Sequence, residues 1–449
     1  MSPPPSERDR LIAPNGAHDE AEEAQENYQR TVIRRSSWGG LTVVFILGLA
    51  FVFILQGRVD DWSYWSGVLP KNPALAARMI LENSPVIDGH IDLPFAVRAR
   101  YANNVSAVDL NARQPGHVDI PRLRQGKVGG FFWSVYVGCA KPDDEGPDFV
   151  NASWRVRDTL EQIDVARQLI DKYPETFRFA LTSTDIKSAI SEGRIASILG
   201  VEGGHQLGNS IGVLRQYYNL GARYMTLTHT CHNAFADSCG MAPGFPPRHG
   251  GLSDLGRTLV TEMNRLGVLV DLSHTSDATA AQALNHSRAP VIWSHSSARA
   301  VHDVPRNVPD WVLRLVGEGE GQKDAVVMVN FAPGFVAPDG LADVSAVADH
   351  VEHIARIAGK KHVGLGSDFD GIPAGPVGLE DVSKYPALIA ALYARGWNKY
   401  ELAGLTGANL LRVFEGAERV AAELQASGLA PAYDVYEKRP DLPVNWDDL

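Results

Sequence analysis

Cysteine is scarce, with three residues in 449. That is too few for a disulfide scaffold, although one pair remains open. Positive charge is also short: 42 Lys and Arg stand against 53 Asp and Glu, for a net charge of −11. Such a balance argues against a nucleic-acid partner, which calls for a basic face. Long hydrophobic runs are absent but for one near the start, so the chain is no multi-span transporter. Neither the 42 glycines nor the 27 prolines reach the share of a collagen-like or disordered sequence. What remains is globular: 45% hydrophobic, 21% charged, mean hydropathy −0.13. The length allows two or three domains, or one large barrel with appendages.

The one long run lies between Ser36 and Gly57, which holds no charged residue. Twenty-two helical positions span roughly 33 Å, enough to cross a bilayer core. A signal peptide is the competing reading, but its apolar stretch is shorter and closer to the N-terminus. A buried core helix is disfavoured because no polar face interrupts the run. Arg30, Arg34 and Arg35 precede the segment, whereas Asp60 and Asp61 follow it. The expectation is a single-pass type II protein, with residues 58–449 extracellular or lumenal. On that side the sequons at Asn104, Asn151 and Asn285 are accessible to glycosylation. Residues 1–35 read as a disordered cytoplasmic tail, 36–57 as a signal-anchor helix and 58–71 as a linker. The C-terminus lacks the apolar tail of a GPI signal.

Beyond Lys71, eight strand-length apolar runs alternate with amphipathic stretches. They are Val86-Ile87, Gly130–Val137, Ile195–Val201, Arg223–Thr228, Gly267–Leu272, Pro290–Trp293, Ala325–Phe331 and His362–Gly366. Between them, Ser153–Lys172 carries a 3.6-period stripe, and Ser253 and Ser276 can cap the helices Asp254–Leu266 and Asp277–Leu284. Strands alternating with helices predict parallel βαβ units, and eight of them an α/β fold of the (β/α)₈ TIM-like barrel type. A doubly wound open sheet is the alternative; no glycine-rich phosphate loop supports it.

Six of the eight runs end in ionisable residues: Asp88-Gly-His90-Ile-Asp92, Glu202, His229, His274, His295 and Asp368. In a barrel these ends converge on one mouth, where active sites sit. His90 and Asp92 lie two apart on an extended strand and so point the same way. His274 and His295 add imidazoles, and Glu202 has two oxygens with which to bridge two ions. Imidazole with carboxylate suits zinc, with manganese or cobalt possible by the same logic. Two ions would make hydroxide available and polarise a carbonyl. His229 is then free to donate to a developing oxyanion. Asp368 can move a proton from water to a leaving amine, and Asp370 shares its side of an extended strand, so the two are not separable here. Arg306, after the sixth run, is read as an ordinary surface arginine or as a bidentate partner for a substrate carboxylate.

The set resembles the membrane dipeptidase (renal dipeptidase) family, zinc metallopeptidases of the amidohydrolase-like superfamily. The motifs that carry it are Val86-Ile-Asp-Gly-His-Ile-Asp-Leu93, Gly200-Val-Glu-Gly-Gly-His205, Leu227-Thr-His-Thr-Cys-His-Asn233 and Asp271-Leu-Ser-His274. Trp293-Ser-His-Ser296, Arg306-Asn-Val-Pro-Asp310, Gly364-Leu-Gly-Ser-Asp-Phe-Asp-Gly371 and Gly378-Leu-Glu-Asp-Val-Ser383 complete them. The resemblance covers about 72–430, leaving 431–449 as a C-terminal tail. It implies a membrane-anchored dipeptidase with two Zn²⁺ per chain. His90, Asp92 and Glu202 would hold one ion, and Glu202, His274 and His295 the other. His229 and Arg306 would bind substrate, and Asp368 would be the acid/base residue. Dipeptides, including Cys-Gly units, are the implied substrates, and homodimers the implied assembly. Lactam or cyclic amide opening is the alternative activity, and a non-catalytic receptor on the same barrel the remote one.

Cys139 and Cys231 match the family's first disulfide, which leaves Cys239 as a free thiol. His205 and His232, also inside the motifs, read as packing residues. Three departures stand out. Mammalian relatives are GPI-anchored, whereas this chain offers an N-terminal helix. His302 and Pro338 stand where a second disulfide would be. Phe335 replaces a tyrosine of the substrate pocket.

Overall fold

A computed structural model describes residues 23–32, 34, 38–49, 69–139, 154–240 and 244–439. The chain divides into two compact units, Met1–Pro70 and Lys71–Leu449. In the first, residues 23–32 are helical where composition predicts a disordered tail. Glu, Ala and Gln favour the helix there, and Glu26 pairs with Arg30 one turn on, at 3.6 Å. Of the expected 36–57 span, only 38–49 is described. It is helical, with Trp38, Leu41 and Phe45 exposed. The rest of that span lies outside the described residues. Among the described residues no helix is long and apolar enough to cross a membrane.

Among its described residues the second unit carries nine parallel strands: β1 (Val86–Ile91), β2 (Val128–Ser134), β3 (Phe177–Phe179), β4 (Ile195–Glu202), β5 (Ala222–Thr226), β6 (Leu269–Asp271), β7 (Val291–Trp293), β8 (Ala325–Val329) and β9 (Val363–Leu365). Eight of them run in the order β1-β2-β4-β5-β6-β7-β8-β9 and match the eight apolar runs. The three-residue β3 pairs with β4 off this path. The ring closes just past the strand ends, where Asp368 N donates to His90 O (3.0 Å) and Asp92 N to Phe369 O (2.9 Å). Asp88 stitches the same seam. Its carboxyl accepts from the backbone of His90 and Ser367 and from Tyr385 Oη at 2.7 Å. Burial raises that carboxyl to about 6.

The connecting helices obey their local signals. Ser253 caps Asp254–Leu266 by accepting from Gly256 N, and Gly267 ends that helix at φ 81°. Ser276 caps Asp277–His286 in the same way. Trp154–Lys172 buries Ile163, Ala166, Leu169 and Ile170, as its stripe predicts, but leaves Leu160 42% exposed and buries Val165 instead. One apolar cluster joins Ile87, Phe132, Ile198, Ile292 and Met328 of the strands to Val413, Phe414 and Ala417 of the helix Asn409–Ala426. Beyond that helix, the described part of the stretch read as a tail, 431–439, is fastened by Ala432, which donates to Glu262 and accepts from Arg215.

Candidate metal centre

All the expected ligands stand at one end of this barrel. His90 lies in β1 with Asp92 just past it, Glu202 ends β4, and His274 and His295 follow β6 and β7. Two backbone devices aim them. His274 and Asp368 adopt φ of 63° and 66°, left-handed values that turn a strand end inward and are held by the surrounding structure. Gly89 lets the first strand approach closely: a Cβ there would sit 2.4 Å from Ser294 O.

Glu202 occupies the middle. Its Oε2 lies 3.5 Å from His90 Nε2, while its Oε1 lies 3.0 Å from His274 Nε2 and 3.2 Å from His295 Nε2. His90 Nε2 is also 3.2 Å from Asp92 Oδ2. Two donor triads result, His90–Asp92–Glu202 and Glu202–His274–His295, each with its ligand atoms within 4.8 Å of one another. His90 Nε2 and Asp92 Oδ1 are buried with no hydrogen-bond partner, and His274 Nε2 and His295 Nε2 face each other at 3.1 Å. Buried polar atoms are otherwise nearly always paired. Lone pairs converging from imidazole and carboxylate fit a divalent transition-metal cation.

The electrostatics agree. Burial, reinforced by Arg306, holds His274 well below the ordinary imidazole range; burial, His90 and Arg306 do the same for His295. Both rings are therefore neutral, as ligation requires. Burial opposes charge on His90 too, but Tyr224, Glu202 and Asp92 override it and push its proton affinity up. Burial, then the Asp92 and Glu202 carboxylates, raise Asp368 above the usual carboxylate range.

The remaining expected residues divide. His229 Nε2 stands 3.9 Å from Glu202 Oε1, outside both triads, and burial keeps it neutral. Asp368 is gripped at Oδ2 by Asn330 Nδ2 (2.9 Å). Asp370 turns away instead: its carboxyl takes His117 N at 2.6 Å, and its own N–H donates to His117 Nδ1 at 2.9 Å. Arg306 is no surface residue. It is 5% exposed, donates to Ser296 Oγ (2.8 Å) and His295 O (2.9 Å), and lies over Phe335.

Cys139 and Cys231 form a disulfide beside His229, and Cys239 is free. His205 Nε2 donates to Val137 O, and His232 Nε2 donates to Pro246 O while its Nδ1 accepts from Ser238 N. Neither belongs to the two triads. Asn104 and Asn285 are exposed; Asn151 lies outside the described residues. Above the triads a cavity of about 600 Å³ is floored by Asp92, Glu202, His229, His274 and Asp368. Its walls include Phe95, Tyr136, Phe335, Ile372 and Pro373.

Tyr224 and Asn330 escape the sequence reading. Tyr224 Oη meets His90 Nδ1 at 2.7 Å and so fixes the ring whose Nε2 faces the site. It fits because residue 200 is glycine; a Cβ there would stand 2.1 Å from the Tyr224 ring. The glycine inside an otherwise apolar strand was the only signal.

A barrel that gathers neutral imidazoles and unpaired carboxylates at the C-terminal ends of its strands defines a metal-dependent enzyme. Comparison with known proteins is more specific. The family model for membrane dipeptidase (peptidase family M19) matches residues 75–428, and the chain belongs to that family. It is 43% identical over 398 residues to dipeptidase aclJ of Aspergillus oryzae, spanning 87% of this chain and 91% of that one. A metallo peptidase from Rhodobacter sphaeroides, solved with a phosphinate mimic of the dipeptide L-Ala-D-Ala, superposes with a TM-score of 0.65 at 28% identity, covering 74% of this chain and 99% of the other. The metallo peptidase dipeptidase AC gives a TM-score of 0.64 at 28% identity over 74% and 98%. The protein is thus a metallo-dipeptidase, a hydrolase acting on peptide bonds.

Proposed function

We propose that the chain is a binuclear zinc dipeptidase. His90, Asp92 and Glu202 would hold one ion, and Glu202, His274 and His295 the other. The observation that carries this reading is the divergence of the Glu202 oxygens, Oε2 toward His90 and Oε1 toward His274 and His295. Two zinc ions there would supply Lewis acidity, drawing electrons from the scissile carbonyl and making water acidic enough to attack at neutral pH.

The rest falls to the protein's own side chains. Asp368, with Oδ2 held by Asn330, takes the proton of the attacking water and passes it to the departing amine. Its raised proton affinity suits that exchange. His229 donates to the carbonyl oxygen as charge develops on it. Arg306, fixed by Ser296 and His295, supplies positive charge for the substrate carboxylate. The cavity, within the roughly 300–1,000 Å³ usual for small-molecule sites, admits a dipeptide with a bulky apolar side chain. Dipeptides with smaller side chains, those of the Cys-Gly type among them, also fit this volume. So does the L-Ala-D-Ala mimic bound by the Rhodobacter relative.

The exposed apolar helix at 38–49 supports anchoring through residues 36–57, with the catalytic unit extracellular or lumenal. Exposure of Asn104 and Asn285 on the second unit is compatible with glycosylation there. A homodimer completes the reading. The test is a dipeptide panel, Cys-Gly included, assayed on the full chain before and after chelation and after zinc is restored. Loss and recovery of hydrolysis support the proposal; full rates in chelator refute it.

A further inference from the structure

Behind each triad one imidazole is held by a hydrogen bond on its outer nitrogen, and the bond behind His295 has a direction built into it. We propose that Asp271 and Ser294 form a one-way relay that fixes His295 with its hydrogen on Nδ1, leaving Nε2 bare toward the metal site. The inference rests on the zinc reading above.

Asp271 ends β6, and its side chain is fully buried. Its Oδ1 accepts two backbone N–H groups, Ser273 N at 3.1 Å and Ser294 N at 2.8 Å. Its Oδ2 accepts two hydroxyls, Thr226 Oγ1 at 2.5 Å and Ser294 Oγ at 2.6 Å. A carboxylate with four donors around it has nothing to donate, so the Ser294 hydrogen points at Asp271. The longer alternative, Ser273 Oγ at 3.4 Å, has an oxygen that already takes the His295 backbone N–H at 3.0 Å. Ser294 Oγ also lies 2.7 Å from His295 Nδ1. With its hydrogen committed to Asp271, it can only accept there. His295 Nδ1 must therefore carry the hydrogen, and Nε2 presents its lone pair beside Glu202 Oε1 and His274 Nε2. Asp271 and Ser294 are positioning residues: they act through His295 and touch no substrate.

The polarity can be reversed by one atom. In Asp271→Asn the carbonyl oxygen stays with the two backbone N–H groups, so the amide nitrogen faces Thr226 and Ser294. Ser294 must then accept from Asn and donate to His295 Nδ1, which moves the imidazole hydrogen to Nε2 and abolishes the ligand. Ser294→Ala removes the relay without reversing it and frees both tautomers.

The experiment uses the full chain, labelled with ¹⁵N-histidine. Tautomers are read by NMR on metal-stripped protein, with the His295 signal identified from a His295 variant. Zinc affinity is read separately by competition with a chelator. A bare Nε2 is expected in the unsubstituted chain. Ser294→Ala should give mixed tautomers and weaken one zinc by about 10- to 100-fold. Asp271→Asn should give an Nε2-protonated ring and a larger loss, although it is the smaller change in shape. An unsubstituted chain with hydrogen on Nε2 overturns the proposal, and so does Ser294→Ala with an unchanged tautomer and unchanged affinity. That second variant decides the matter if Asp271→Asn does not fold. A chain that shows the bare Nε2 but binds no zinc overturns the zinc reading alone.

Discussion

Glu202→Gln keeps the shape of the central side chain and removes its charge, which should move stability in opposite directions with and without metal. In the metal-free protein the ionised carboxyl is disfavoured: burial raises its proton affinity, His90 opposes that, and Asp92 adds to it. Glu202 and Asp92 both lie within 3.5 Å of His90 Nε2. Carboxylates no more than about 7 Å apart repel by about 2 kcal/mol at an effective dielectric of about 20. A carboxyl whose folded pKa is raised penalises the fold above that pKa and not below the unfolded value. The gain on substitution is therefore fully present above the raised pKa of Glu202 and fades as the pH falls toward the unfolded carboxyl value. At pH 8.5 in chelator the variant should melt about 2–3 °C above the unsubstituted chain, taking roughly 1.3 °C per kcal/mol for a unit of this size. In saturating zinc the order reverses. Binding at 1,000 times Kd stabilises by about 4 kcal/mol per site, and the variant loses the donor that both sites share. Thermal scans in chelator and in zinc, with metal analysis of each sample, decide it. A variant less stable than its parent in chelator, or one that keeps two zinc ions and full activity, would refute the reasoning.

Three further outcomes follow from the geometry. Asp368→Asn should lower kcat by about 10²- to 10⁴-fold with zinc content unchanged. Asp370→Asn, whose carboxyl serves His117 rather than the cavity, should stay near the parental rate; equal losses in steady-state assays of the two would contradict the assignment. Replacing Cys139 and Cys231 by serine opens a link across 92 residues and should cost about 4–5 kcal/mol on the chain-entropy account. Calorimetry checks the size, and an unchanged melting temperature would refute it. Arg306→Lys cannot serve Ser296 and His295 O together; one lost charged hydrogen bond of about 1.5–3 kcal/mol should lower kcat/KM roughly 10- to 100-fold. An unaltered kcat/KM on a dipeptide would remove Arg306 from substrate binding.

The barrel was legible because parallel strands buried on both faces read as apolar runs, and because the ionisable residues fall where those runs stop. Ser253 and Ser276 marked helix starts by the same local chemistry that caps them. What stayed hidden depends on contacts between distant segments. Phe177–Phe179 is too short to show a period and exists as a strand only through β4. Tyr224 reads as core packing until its hydroxyl is found against His90. Asp368 and Asp370 were inseparable because alternation assumes an extended chain, and both adopt positive φ, at 66° and 67°. Arg306 stayed open between a surface residue and a carboxylate partner because nothing local reveals the Ser296 and His295 oxygens that bury it.

The central claim is the pair of ions bridged by Glu202. Zinc per chain, measured on the purified full-length protein alongside dipeptide hydrolysis, tests it most directly. The account predicts two zinc ions, activity lost on chelation and regained with zinc. Fewer than one zinc per chain, with hydrolysis undiminished in chelator, would contradict it.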